Sequence, residues 1–153
     1  MNLLLDTNVI LNIIRAKDVA AITNFINPHG SLIYISVVSE AEAKSLAIRN
    51  KWGTNRLNHL NNFLDTVTII DVNQLSVNIY ADIDAYSQRL NPAFENYPFE
   101  TPRNMGKNDL WIASLAALLG LRLITTDADF DHLNNVFFEV RKISAVDFLP
   151  FFR

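Results

Sequence analysis

The stretch "MNLLLDTNVILNII" sets a single carboxylate, Asp6, where one apolar run ends and another begins. A charge in such surroundings is costly unless it is paired, hydrated or bound to a metal. Three other acids occupy comparable junctions. Glu42 lies early in "VVSEAEAKSLAIRN", Asp109 opens "NDLWIASLAALLG", and Asp127 closes "RLITTD". Negative charges brought together repel unless a cation joins them. An all-oxygen donor set suits Mg²⁺ or Mn²⁺ rather than zinc. One or two such ions can activate a water and neutralise charge on a phosphodiester during in-line displacement.

Whether the acids can meet depends on the elements that carry them. Runs at 2–6, 31–36, 67–71, 122–127 and 137–142 are rich in Ile, Leu, Val, Phe and Thr and mostly apolar on both faces, as buried parallel strands are. Between them, helical patterns cover 7–16, 17–26, 37–50, 54–66, 75–90 and 108–120, with Thr54 a candidate N-cap and Gly120 a C-cap. Alternating strands and helices predict an α/β fold, a mostly parallel sheet covered on both sides. In such a sheet the carboxyl ends of the strands and the amino ends of the helices share one edge, where ligands bind. All four acids fall on that edge. Residues 91–106, with three of the five prolines, read as one long loop.

Neighbouring acids need sorting. Glu40 and Glu42 differ by about 200° around a helix, so only one can face the edge, and spacing alone leaves the choice open. Asp129 and Asp131 follow Asp127, and "DADFD" resembles the opening of a calcium loop. Its sixth position is His132 rather than glycine and its twelfth is Phe138 rather than glutamate, which excludes that reading. A phosphatase of the haloacid-dehalogenase type needs a second aspartate where Asn8 stands. A receiver domain needs an acidic pair near the first strand and a lysine after a late one, and neither is apparent. No G-x-S-x-G elbow or phosphate-binding glycine loop occurs among four glycines. His29, His59 and His132 are scattered and read as surface or loop residues.

The bulk numbers set the frame. One domain over 1–153 can bury a real core, and a chain half hydrophobic and 19% charged packs rather than staying disordered. No apolar run reaches the roughly 18–20 residues of a membrane span. The absence of cysteine and of a leader-like pattern at the amino end fits the cytoplasm. The net charge of −3 argues mildly against indiscriminate nucleic-acid binding. Basic residues nevertheless gather at Lys44, Arg49, Lys51 and Arg56, and Arg103 and Lys107 lie just before Asp109. At least one of these last two, both candidate substrate contacts, is expected to face the acidic edge and meet substrate phosphates. The carboxyl-terminal "VDFLPFF" suits either a packed tail or an interface.

Together, "LLLDTNVIL", "ISVVSEAEAKSLA" and "GKNDLWIASLAALLGLRLITTDADF" resemble the PIN-domain family, particularly the VapC-type toxins of bacterial toxin–antitoxin pairs. The resemblance spans nearly the whole chain. It implies a three-layer α/β/α fold and a Mg²⁺- or Mn²⁺-dependent ribonuclease whose acids are Asp6, Glu42, Asp109 and Asp127. It also selects Glu42 over Glu40. Thr7, Asn8 and Asn108 match small polar positions beside the acids and would steady them from behind. The implied partners are an RNA substrate, a cognate antitoxin protein and a second copy in a homodimer. A module that keeps this fold without turnover is the alternative, and the two separate on whether RNA is cut in Mg²⁺ and spared in EDTA.

Overall fold

A computed structural model describes residues 1–153. Five short strands, β1 (Leu3–Leu5), β2 (Ile33–Ser36), β3 (Thr68–Ile70), β4 (Arg122–Thr125) and β5 (Val140–Lys142), form one sheet in the order β3-β2-β1-β4-β5. Every pairing is parallel. The expected sheet was mostly parallel; it is wholly so. Six helices accompany it: α1 (Thr7–Arg15), α2 (Val19–Ile26), α3 (Val37–Arg49), α4 (Thr54–Thr66), α5 (Val77–Ser87) and α6 (Lys107–Leu119).

Alternation along each strand divides the core in two. Leu3, Leu5, Ile35 and Ile124 belong to an apolar cluster with α1, α2 and α4, whereas Leu4 and Leu123 join α5 and α6 on the other face. Both faces are covered, so the strands carry apolar residues on each side. This is the three-layer α/β/α arrangement. From β1 the chain builds outward to β2 and β3, then returns to β1's other side for β4 and β5. Strand order therefore reverses between β1 and β4, the place where open α/β sheets bind ligands.

Local chemistry fixes the helix ends. Gly120 ends α6 in the left-handed conformation at φ 63°, and its N–H reaches the Ala116 carbonyl. At α4 the cap is Gly53, not Thr54, which instead begins the helix. Residues 91–106 are an irregular loop, but its aromatic residues are anchors. Phe94, Tyr97 and Phe99 surround the buried Tyr86 at centroid distances of 4.6, 5.3 and 5.4 Å. The Tyr97 hydroxyl donates to the Asn91 carbonyl at 2.8 Å and closes the loop on itself. The carboxyl-terminal segment Ala145–Phe152 is a 3₁₀ helix whose Phe148 is fully buried. Its Phe151 carbonyl accepts from the Lys17 N–H at 2.9 Å, so this segment packs as a tail against the α1 and α2 side.

Gly120→Ala is a clean test of the cap, because a Cβ there meets nothing within 4 Å. The substitution should cost about 1 kcal/mol through backbone strain alone. Denaturant unfolding would measure it, and a loss below a few tenths would mean the turn relaxes out of the left-handed region.

Candidate functional site

Asp6 follows β1 and caps α1. It is only 5% exposed, and both carboxylate oxygens are engaged. Oδ1 accepts the Thr7 N–H at 2.8 Å, and Oδ2 accepts the Thr125 hydroxyl at 2.7 Å. Thr125, the last residue of β4, also accepts the Asp127 N–H through its Oγ1 at 3.0 Å. A single buried hydroxyl thus ties together the acids that end two adjacent strands. Thr7 plays the corresponding part on the other side. Its hydroxyl donates to Glu42 Oε1 at 2.9 Å and lies 3.0 Å from the buried Ser39 Oγ.

Asp6, Glu42, Asp109 and Asp127 line one cleft of about 490 Å³ at the carboxyl edge of the sheet, with Thr7, Asn8 and Asn108 among its other walls. Glu40 lies outside that lining and faces Lys44 one helical turn on, at 3.3 Å. Asp131 is also drawn away, to Lys142 at 2.7 Å. Asp129 stays close: its carboxylate and those of Asp109 and Asp127 have oxygens within 4.8 Å of one another. Its N–H donates to Asp127 Oδ1 at 2.9 Å, which holds the turn after β4.

Arg103 and Lys107 do not line the cleft. The guanidinium of Arg103 lies 5.8 Å from the Phe99 ring centroid, and the residue's backbone N–H donates to the Ser87 carbonyl at 2.7 Å. It belongs to the loop's aromatic cluster, a placement that nearness in sequence to Asp109 does not foresee. The cation in the cleft is Arg49, seven residues beyond Glu42 and so on the same helix face. Arg49, Asp129 and Thr125 are the neighbours that sequence reasoning did not assign. A heptad step from Glu42 was the one signal for Arg49; Thr125 gave none, since its role depends on a partner 119 residues away.

His132 is buried rather than at the surface. Its Nε2 lies 2.7 Å from Ser87 Oγ and its ring stacks parallel to Tyr86. Burial, aided by the Arg103 charge, pushes it down to about 4.

Burial also acts on the acids. It pushes Asp109 up to about 7, with Asp6, Asp127, Asp129 and Glu42 adding repulsion. Asp6 is raised as well, chiefly by burial, against the opposing pull of its hydrogen bonds from Thr125 and Thr7. The donor chemistry fits a hard divalent cation: every ligand candidate is a carboxylate, none is in a salt bridge, and the one cation in the lining, Arg49, leaves a surplus of negative charge.

The PIN domain family model matches residues 3–136. No curated protein matches the chain. Among solved structures, the VapBC2 complex from Rickettsia felis, bound to a promoter DNA fragment, is similar at a TM-score of 0.71 and 20% identity, over 93% of this chain and 98% of that one. VapBC-5 from Mycobacterium tuberculosis, a toxin–antitoxin system, matches at 0.61 and 25% over the same shares. FitAcB from Neisseria gonorrhoeae matches at 0.65 and 21%, over 90% and 95%.

The raised Asp109 carboxyl has a consequence for stability. Its folded value exceeds the unfolded one, so its contribution is complete below about 4 and is lost as the pH rises through about 7. His132, lowered, acts oppositely, losing stability as the pH falls from about 6.5 towards 4. Asp109→Asn isolates the first effect. Without metal the variant should match the wild type near pH 4 and exceed it above pH 7. Solvent screening of the half-exposed carboxyl holds that gain to about 1–2 kcal/mol. Equal stability of the two proteins at pH 8 would show that Asp109 carries no such strain.

Proposed function

The chain belongs to the PIN domain family, and on that premise we propose that it is a Mg²⁺- or Mn²⁺-dependent endoribonuclease, the toxin of a toxin–antitoxin pair. The observation that carries this reading is the cleft itself: four carboxylates line it against one cation, Arg49, none of the four is in a salt bridge, and burial pushes one of them up to about 7. Such a site strains the protein without a cation and is ready to hold one. In this reading Asp6, Glu42, Asp109 and Asp127 are the metal ligands. A bound divalent ion would supply Lewis-acid activation of water and charge neutralisation on the scissile phosphate.

The chain's own residues supply the rest. Thr125 fixes Asp6 through Oδ2 and holds the backbone of Asp127, so the two strand-end acids keep a constant separation. Thr7 aims Glu42, and Asn8 and Asn108 line the same walls. Orientation of ligands from behind typically governs metal affinity about 10–100-fold. Asp109 must give up its proton before it can serve as a ligand, so metal affinity should rise with pH. Arg103 and Lys107 have no support as phosphate contacts from their placement outside the cleft.

Partners follow from the same reading. The similar structures named above include VapBC and FitAcB assemblies, and two of them are described as toxin–antitoxin systems or as bound to promoter DNA. We take an antitoxin protein as the regulatory partner, RNA as the substrate, and a homodimer as the working form. No helix is long and apolar enough to cross a membrane; the proposed site of action is the cytoplasm and the proposed unit a single domain over 1–153.

The experiment is a cleavage assay on structured RNAs. The wild type should cut in Mg²⁺ or Mn²⁺ and not in EDTA. Glu42→Gln should lower the rate by at least about a hundredfold, whereas Glu40→Gln should stay within about twofold, since Glu40 meets only Lys44. A Glu40 variant as damaged as the Glu42 variant would reverse the assignment. Metal-independent cleavage by the wild type would defeat the reading altogether.

A further inference from the structure

A second cavity, of about 550 Å³, carries the opposite charge. Arg15, Lys17, Arg56 and His59 line it, with Gly53 and Thr54 at the start of α4, and no carboxylate does. The three permanent cations take part in no salt bridge. Arg56 lies over the Trp52 ring at 5.5 Å, and His59 is held by its Nδ1, which donates to the Ile14 carbonyl at 3.2 Å. Gathered cations repel as gathered carboxylates do, and an anion relieves them. The amino end of α4 adds to this, because Gly53 brings no capping side chain and leaves first-turn N–H groups without a side-chain acceptor.

The basic cavity and the acidic cleft follow one another along α1. Asn8 and Leu11 line the cleft; Ile14 and Arg15 line the basic cavity. Residues 8, 11 and 15 share one helix face, and the rise from Asn8 to Arg15 is about 10 Å. Arg49, in the cleft, stands four residues before Gly53. Free cations therefore lead away from the carboxylates in one direction. A polyanion with one phosphate at the acids would lay its next phosphates along this line. An acidic peptide would prefer apolar anchors, and only Ile14 and Ala16 among the lining residues provide any.

We infer that the basic cavity is a phosphate-binding subsite for single-stranded RNA, a few nucleotides from the scissile phosphate, reached along α1 past Arg49. This rests on the nuclease reading of the neighbouring cleft.

Binding of labelled single-stranded RNA about ten nucleotides long, measured in EDTA so that nothing is cut, tests it. The double variant Arg15→Gln/Arg56→Gln should bind about tenfold more weakly at low salt. Its slope of log affinity against log salt should shrink by about 1.4, because each phosphate contact to a single strand contributes about 0.7. Arg15→Lys/Arg56→Lys should recover most of the slope, and Arg89→Gln, beside Tyr97 on the other face of the sheet, should keep all of it. Cleavage in Mg²⁺ is followed in parallel, with kcat/KM falling in the double variant through KM. An unchanged slope in the double variant, with a wild type that cuts RNA, overturns the subsite. A wild type that cuts nothing in Mg²⁺ defeats the nuclease reading instead, while the slopes still report whether the cavity holds phosphates. If a glutamate-rich peptide loses affinity in the double variant and RNA does not, the cavity takes protein and the inference fails.

Discussion

Asp6 is almost wholly buried, accepts hydrogen bonds on both oxygens, and still faces three other carboxylates across one cleft. Hydrogen bonds from Thr7 and Thr125 lower the cost of its charge but do not remove the repulsion among the four. That repulsion is the constraint on which the rest of the site depends. Burial first, and this repulsion on top of it, raise Asp109 to about 7 and make the carboxyl edge of the sheet a place that suits a divalent cation. Nothing in the core needs these charges. The two apolar clusters close without them.

The parallel sheet is what allows such crowding. Neighbouring strands in register bring Leu5 beside Ile124, so the residues that follow, Asp6 and the turn to Asp127, leave the sheet at the same height. Helices starting there offer free N–H groups and the positive end of their dipoles, which partly offset the carboxylates. Asp6 uses this directly as the cap of α1. On the far side of the sheet the Tyr86 cluster, with Phe94, Tyr97, Phe99 and His132, seals the long loop against α5. The loop is packed wall, outside the lining of the cleft.

Much of this was legible in the amino-acid sequence because it is local. Apolar runs without alternation announce strands buried on both faces, and the change of rhythm at Asp6 and Asp127 announces their ends. The choice between Glu40 and Glu42 was not decided by spacing, although Lys44 four residues after Glu40 was a local cue to a surface ion pair. What depended on distant partners stayed hidden. Thr125 bridges to Asp6 across 119 residues, and His132 meets Ser87 across 45. Arg103 was drawn by Phe99 rather than by the acids it precedes. Even a local cap shifted by one residue, from Thr54 to Gly53. Periodicity reports which face is buried; it does not report which buried hydroxyl finds which carboxylate.

The central claim is that the cleft is strained by its own charge and relieved by a metal. Equilibrium unfolding at pH 8, with and without Mn²⁺ or Mg²⁺, tests it most directly. A metal bound only by the folded protein should stabilise the wild type by about 2.7 kcal/mol at a hundred times its dissociation constant. Asp109→Asn should gain far less at the same concentration, having lost both a ligand and the repulsion. A wild type whose stability is indifferent to both ions, or an Asp109→Asn protein stabilised as much as the wild type, would contradict the account.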